Sequence, residues 1–181
     1  MKILNVKDYT TTNWSGGQTT ELHIFPQEST FAARDFLYRI SIATIQVSSS
    51  DFTPLAEVER TLLLLEGELK LIHENHHESF LMPFSQDHFK GDWNTHSIGI
   101  AKDFNLMTKK GCNGTITVIS NDIDFETEAD HILAFAYQDS STFNGVDLNE
   151  GELAIIDSII TEQIPIITTG KIIIVEIHLV N

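Results

Sequence analysis

Two stretches of this chain alternate polar with apolar side chains, and their polar members are of the kinds that hold small molecules. In Lys102–Lys109 (KDFNLMTK), Asp103, Asn105 and Met107 share one face of an extended chain, and Phe104 and Leu106 share the other. In Phe36–Ala43 (FLYRISIA), Arg39, Ser41 and Ala43 oppose Phe36, Tyr38, Ile40 and Ile42. An Arg in mid-strand is costly unless it is paired or wet. Its planar fork suits a carboxylate, and an amide such as Asn105 both donates and accepts. The pattern predicts that these polar faces line a recess. Two plainer accounts stay open at this point. Arg39 has Glu21, Glu57, Glu59 and Asp103 available for an internal ion pair, and the Asp103 face could be a wet barrel rim.

A third stretch, Trp14–Leu22 (WSGGQTTEL), places an indole beside two glycines and sends Thr19 and Glu21 alternately into a following strand. Glycines permit a tight turn or close approach to a ligand, and Trp14 could wall a pocket. From the local sequence alone, an ordinary glycine turn with a buried Trp is the stronger account. Arg60 is a further candidate cation, with a surface salt bridge as the alternative.

The remaining chemistry-bearing residues point elsewhere. His73-Glu74-Asn75-His76-His77-Glu78 has the side chains of a metal box. Its residues are consecutive and lie between two apolar strands, which predicts an exposed hairpin tip whose side chains point apart without supporting partners. His23, His88, His96, His131 and His178 are dispersed without ligand spacing. No nucleophile elbow, P-loop or dinucleotide fingerprint occurs, and Cys112 has no assigned His partner. No catalytic residue, metal ligand or cofactor is expected.

The elements that must position these groups read as strands. Apolar, β-branched runs recur at Leu22–Phe25, Phe36–Val47, Thr61–Ile72, Thr115–Ile119, Ile132–Tyr137, Glu152–Ile156, Ile164–Thr168 and Lys171–Val180, separated by turn-forming clusters. Asp51–Glu59 is the one stretch that suggests a short helical turn, with Thr53 as cap and Pro54 first. Many strands with almost no helix predict an all-β sandwich or barrel. A Gly-acid step recurs, at Gly91-Asp92 and Gly151-Glu152, as a duplicated jelly-roll unit would leave it.

With 181 residues and 41% apolar content the chain can bury a core. Eleven basic residues among twenty-six acidic ones, a net charge of −15, cannot form a basic face, which disfavours nucleic acids and anionic membranes. The lone Cys112 suits a reducing compartment. No apolar leader or membrane-length run appears, so a cytoplasmic protein is expected.

Taken in order, Trp14-Ser15-Gly16-Gly17 with Thr19 and Glu21, Arg39-Ile40-Ser41-Ile42-Ala43, Glu59-Arg60 before Gly67, Phe89-Lys90-Gly91-Asp92 and Asp103–Thr108 resemble the HutD/Ves family. The resemblance runs from Trp14 to Gly111 and fades beyond Cys112. It implies a bicupin, two jelly-roll barrels forming a single compact unit over residues 1–181, with lobes at 1–111 and 112–181. Members accompany histidine-utilisation genes in some bacteria and stress responses in others. The resemblance implies a regulatory or metabolite-binding role, formylated glutamate as ligand, and no established catalysis. Ser15 stands where the family usually has Asn, and Asp51–Arg60 departs from its glycine-bearing loop. The cupin metal motif, an H-x-H pair with a following Glu and a later His, is broken: His73 follows Gly67 at the right distance, but Asn75 stands two places on.

The resulting expectation is a non-enzymatic binding protein for a small, acidic, carboxylate-bearing metabolite. Arg39 would hold the carboxylate with Ser41, while Asn105 and Thr19 would orient the ligand. Glu21 and Asp103 would hold Arg39 or a ligand amine. Trp14 and Met107 would form apolar wall, and Arg60 would supply a second cation. The alternatives are a metal-dependent cupin isomerase or dioxygenase, and a protein-interaction module with a vestigial recess. A homodimer through sheet edges or faces fits any of these.

Overall fold

The computed structural model describes residues 1–157 and 163–180, and no helix occurs among them. None is therefore long and apolar enough to cross a membrane. The chain divides into two units, one of Thr10–Gly111 and one of Met1–Tyr9 with Cys112–Asn181. The first nine residues thus group with the C-terminal half, because β1 (Lys2–Leu4) pairs with a strand at Leu153–Ile156.

The unit Thr10–Gly111 holds β2 (Thr10–Trp14), β3 (Gly17–Phe25), β4 (Tyr38–Ile45), β5 (Ser49–Asp51), β6 (Val58–Gly67), β7 (Leu69–His73), β8 (Glu78–Leu81), β9 (Gln86–Lys90), β10 (Thr95–Ile98) and β11 (Ala101–Lys109). They form a six-stranded sheet, β2-β3-β4-β11-β6-β9, and a four-stranded one, β5-β10-β7-β8. This is jelly-roll order, in which strands distant in sequence become neighbours. The alternation in β4 and β11 follows from their place at the centre of the larger sheet, each with one face turned inward. The four leucines Leu62–Leu65 are all buried, as befits a central strand covered on both sides.

The other unit holds β12 (Cys112–Ile119), β13 (Ile123–Phe125), β14 (His131–Gln138), β15 (Ser141–Phe143), β16 (Val146–Leu148), β17 (Leu153–Ile156), β18 (Ile164–Thr168) and β19 (Lys171–Leu179). Its sheets run β1-β17-β14-β19-β12 and β13-β18-β15-β16. Strand for strand, β12-β19-β14-β17 repeats β4-β11-β6-β9, and β13-β18-β15-β16 repeats β5-β10-β7-β8. The duplication is a matter of topology. The Gly-acid steps are not equivalent, since Gly91 follows β9 whereas Gly151 precedes β17, the strand that matches β9.

Asp51–Glu59 forms no helical turn. Asp51 ends β5, and the backbone amides beyond it are bonded elsewhere: Phe52 N–H donates to the Thr95 carbonyl (2.9 Å) and Leu55 N–H to that of Gly91 (2.6 Å). Pairing across the barrel wins over a local helix signal of one Thr-Pro pair.

Candidate functional site

Strand register brings the polar residues together. Thr19, Ala43 and Asp103 stand side by side across β3, β4 and β11. Glu21, Ser41 and Asn105 form the next row, and Arg39, Met107 and Arg60 the third, across β4, β11 and β6. Side chains opposite one another on one sheet face are neighbours. Register therefore converts four separate sequence patterns into one polar patch. Register slips between Glu21 and His23 and between Lys102 and Asp103 adjust the aim of these positions.

The patch floors a cavity of about 740 Å³, and all nine predicted residues line it: Trp14, Thr19, Glu21, Arg39, Ser41, Arg60, Asp103, Asn105 and Met107. Trp14 stands at the end of a hairpin turned by Ser15 and Gly16. A Cβ on Gly16 would lie 2.1 Å from the Trp14 ring, and one on Gly17 only 1.9 Å from the Thr44 carbonyl oxygen. The two glycines therefore serve the hairpin, letting the indole fold over the turn and β3 approach β4. Sequence reading missed Phe31, Asp51 and Phe52, which also line the cavity. They lie at or between strand ends, where no periodicity betrays the direction of a side chain.

Arg39 is buried and already engaged. Its Nε donates to Glu21 Oε2 at 2.6 Å, its Nη1 donates to Ser41 Oγ at 3.1 Å, and its guanidinium carbon lies 4.3 Å from the centre of the Phe31 ring. Arg60 is buried too, which corrects the surface salt bridge considered for it. It packs over Phe52 and Phe89, 4.7 and 5.2 Å from their ring centres, and its Nε finds no hydrogen-bond partner among the described residues. Burial pulls its basicity down to about 10, against the opposing pull of Asp103 and with help from Arg39 and Arg34. Asp103 is pushed up to about 7 by burial, although the Asn105 amide, which donates to it, and Arg60 both work the other way. Asn105 Oδ1 is buried and has no partner among the described residues. Met107 packs with Ile24, Phe36, Leu55 and Val58 as apolar wall.

The histidine segment differs from its expected form. Glu74, Asn75 and His76 are exposed at the turn, with Asn75 in the left-handed region at φ 64°. His73, however, is 2% exposed and continues the inward face of Leu69 and Leu71. It closes the hairpin with His77, whose carbonyl accepts the His73 N–H at 2.9 Å. That pairing puts both imidazoles on one side, ring centres 4.5 Å apart, where they meet Asp87. His73 Nε2 lies 2.9 Å from Asp87 Oδ2, and His77 Nε2 lies 3.0 and 3.2 Å from the two Asp87 oxygens. His73 Nδ1 is held by Thr95 Oγ1 at 2.8 Å. Burial lowers the His73 pKa, with Asp87 opposing. Burial also pushes Asp87 upward, but hydrogen bonds from His73, His77 and Ser79 outweigh it and hold the carboxyl below its ordinary range. None of the three lines the cavity.

The HutD family model matches residues 6–174. No curated protein matches the chain. Among solved structures it is similar to HutD from Pseudomonas fluorescens SBW25 in a formate condition, with 21% identity, 99% of each chain covered and a TM-score of 0.85. A conserved protein of unknown function from Pseudomonas aeruginosa PAO1 follows, with 22% identity, 98% of each chain covered and a TM-score of 0.81. Similarity extends to an oxalate decarboxylase–formate complex from Lactobacillus farciminis, with 7% identity, 98% of this chain and 86% of that chain covered, and a TM-score of 0.65. Identities this low speak to the fold alone, which is the duplicated cupin jelly roll.

Proposed function

The chain belongs to the HutD family, and from that premise we propose that the cavity of the unit Thr10–Gly111 binds a small, polar, carboxylate-bearing metabolite without turning it over. The observation that carries this reading is two buried polar residues in the wall of one cavity, Arg60 and Asn105, whose Nε and Oδ1 have no partner among the described residues. A buried, under-satisfied cation is costly, and a ligand carboxylate would relieve the cost. The free amide oxygen calls for an N–H on the same ligand. A formylated amino acid such as N-formylglutamate supplies both, with a formyl carbonyl to spare for Thr19.

The roles of the two arginines follow from their partners. Glu21 and Ser41 take two of the donor groups of Arg39, so Arg39 positions and attracts, while Arg60 is the cation with unspent hydrogen bonds. Asp103, poised near neutrality, keeps its proton when an anion arrives and so does not repel it. The cavity lining carries no His or Cys among the described residues, and its donor set suits an organic anion better than a transition metal. The role assigned to binding is regulation, in histidine or other amino-acid utilisation or in stress.

A thermal-shift panel tests the reading. N-formyl-L-glutamate and free L-glutamate are compared with the corresponding diamide, which lacks carboxylates. The expected result is stabilisation by an acidic member of the panel, strongest for the formylated one, and none by the diamide. Stabilisation by the diamide equal to that of the acids, or by none of the three at millimolar concentration, contradicts it.

A further inference from the structure

A second site lies outside the cavity. His73 and His77 close the β7–β8 hairpin, and Asp87 stands on the inward face of β9. One nitrogen from each imidazole and a carboxylate oxygen lie within 4.8 Å of one another. This is not the H-x-H arrangement broken at Asn75, because the second imidazole comes from the far side of the turn and the carboxylate from another strand. A tetrahedral zinc with bonds of about 2.0–2.1 Å sets its ligand atoms ~3.4 Å apart. The nitrogen–oxygen separations here are 2.9, 3.0 and 3.2 Å, so small rotations of the two rings would admit an ion.

The surroundings are those of a supported site. Thr95 holds the distal nitrogen of His73, and Ser79 bonds Asp87. Outer partners of this kind fix ring orientation and sharpen metal affinity. Phe89 packs against the His73 ring at 4.5 Å, and Trp93 lies within 5.8 Å of both imidazoles. They shield the inner side from water, while His77, with 39% of its side chain exposed, leaves a path for entry and a place for a fourth ligand.

We infer that His73, His77 and Asp87 form a site for a zinc-class divalent transition metal, a clip that ties the β7–β8 hairpin to β9. This inference is independent of what the cavity binds. Its test is calorimetric titration of tag-free, chelator-treated protein with zinc chloride, with cobalt(II) absorption as a second reading of tetrahedral coordination. One zinc per chain is expected. Binding should weaken at least about tenfold in His77→Ala and in Asp87→Asn, and stay unchanged in His88→Ala, which removes an exposed histidine on the same strand as Asp87 that faces Thr61 and Glu59 instead. His77 is at the surface and Asn keeps the shape of Asp, so both variants should fold, which circular dichroism checks. Absence of stoichiometric zinc binding by the unaltered protein overturns the inference. So does binding that survives both substitutions, which would mark adventitious surface histidines.

Discussion

At the scale of single residues, the cavity is defined by groups held away from their ordinary chemistry. Asp103 is the clearest. Its carboxyl is pushed up to about 7 by burial, so the folded chain holds a proton that the unfolded chain releases nearer pH 4. Stability from this group is therefore greatest at low pH and falls as pH rises to about 7, beyond which it levels off. Asp103→Asn should flatten that part of the stability profile, measured by urea unfolding from pH 5 to pH 8. A slope unchanged by the substitution would show that another group titrates there. The same variant should lose any weakening of anion binding above neutrality. Arg39 and the Asp103–Asn105–Met107 face were legible in the sequence because each lies in a strict polar–apolar alternation. The inward direction of Arg60 was not. The run Leu62–Leu65 beside it is apolar on both faces, so period two leaves no mark.

Elements explain why these residues meet. The β2–β3 hairpin sets Trp14 in the cavity wall and carries Thr19 and Glu21 to their rows, and its tight seat on β4 depends on Gly17. A Cβ there would strike the Thr44 carbonyl oxygen. Gly17→Ala should cost about 2–4 kcal/mol in urea unfolding; a loss below ~0.5 kcal/mol would show that β3 has room to shift. The histidine hairpin teaches the complementary lesson. Read as a block of polar residues, His73–Glu78 looks like a solvated tip. Read in period two, Leu69, Leu71 and His73 form one inward series, and Asp87 and Phe89 another. The signal was present, and proximity along the chain obscured it. What no local pattern supplies is that β9 lies close enough for Asp87 to reach both imidazoles.

For the whole molecule, duplication has produced one hollow unit and one whose matching positions are filled, among the described residues, by apolar side chains. Where the unit Thr10–Gly111 sets Arg39, Ser41, Asp103 and Asn105 on β4 and β11, the matching strands β12 and β19 place Ile119, Ile172 and Ile174 in an apolar core with Ala134, Phe143 and Leu148. The all-β class was readable from the alternating runs and turn clusters, but the short strands β1, β5, β10, β13, β15 and β16 were not, being only three or four residues long. The pairing order was not, because jelly-roll neighbours are distant in sequence, and the transfer of Met1–Tyr9 to the C-terminal unit depends on β1 finding β17. If the site belongs wholly to the hollow unit, Ile174→Ala should lower stability by about 2–5 kcal/mol. Ligand affinity below the reduced Tm should then stay within about twofold. A large loss of affinity in this variant would tie the site to the filled unit.

The proposed binding depends on Arg60 being a buried cation kept for a ligand rather than for the fold. Replacing it with Met, which keeps length and apolar contact with Phe52 and Phe89, separates the two roles in one differential scanning experiment. The prediction is a ligand-free Tm equal to or above that of the unaltered protein, since removing an under-paired buried charge is often worth about 1–4 kcal/mol, together with loss of stabilisation by the acidic ligand. A variant that melts early while still gaining stability from the acid would contradict it.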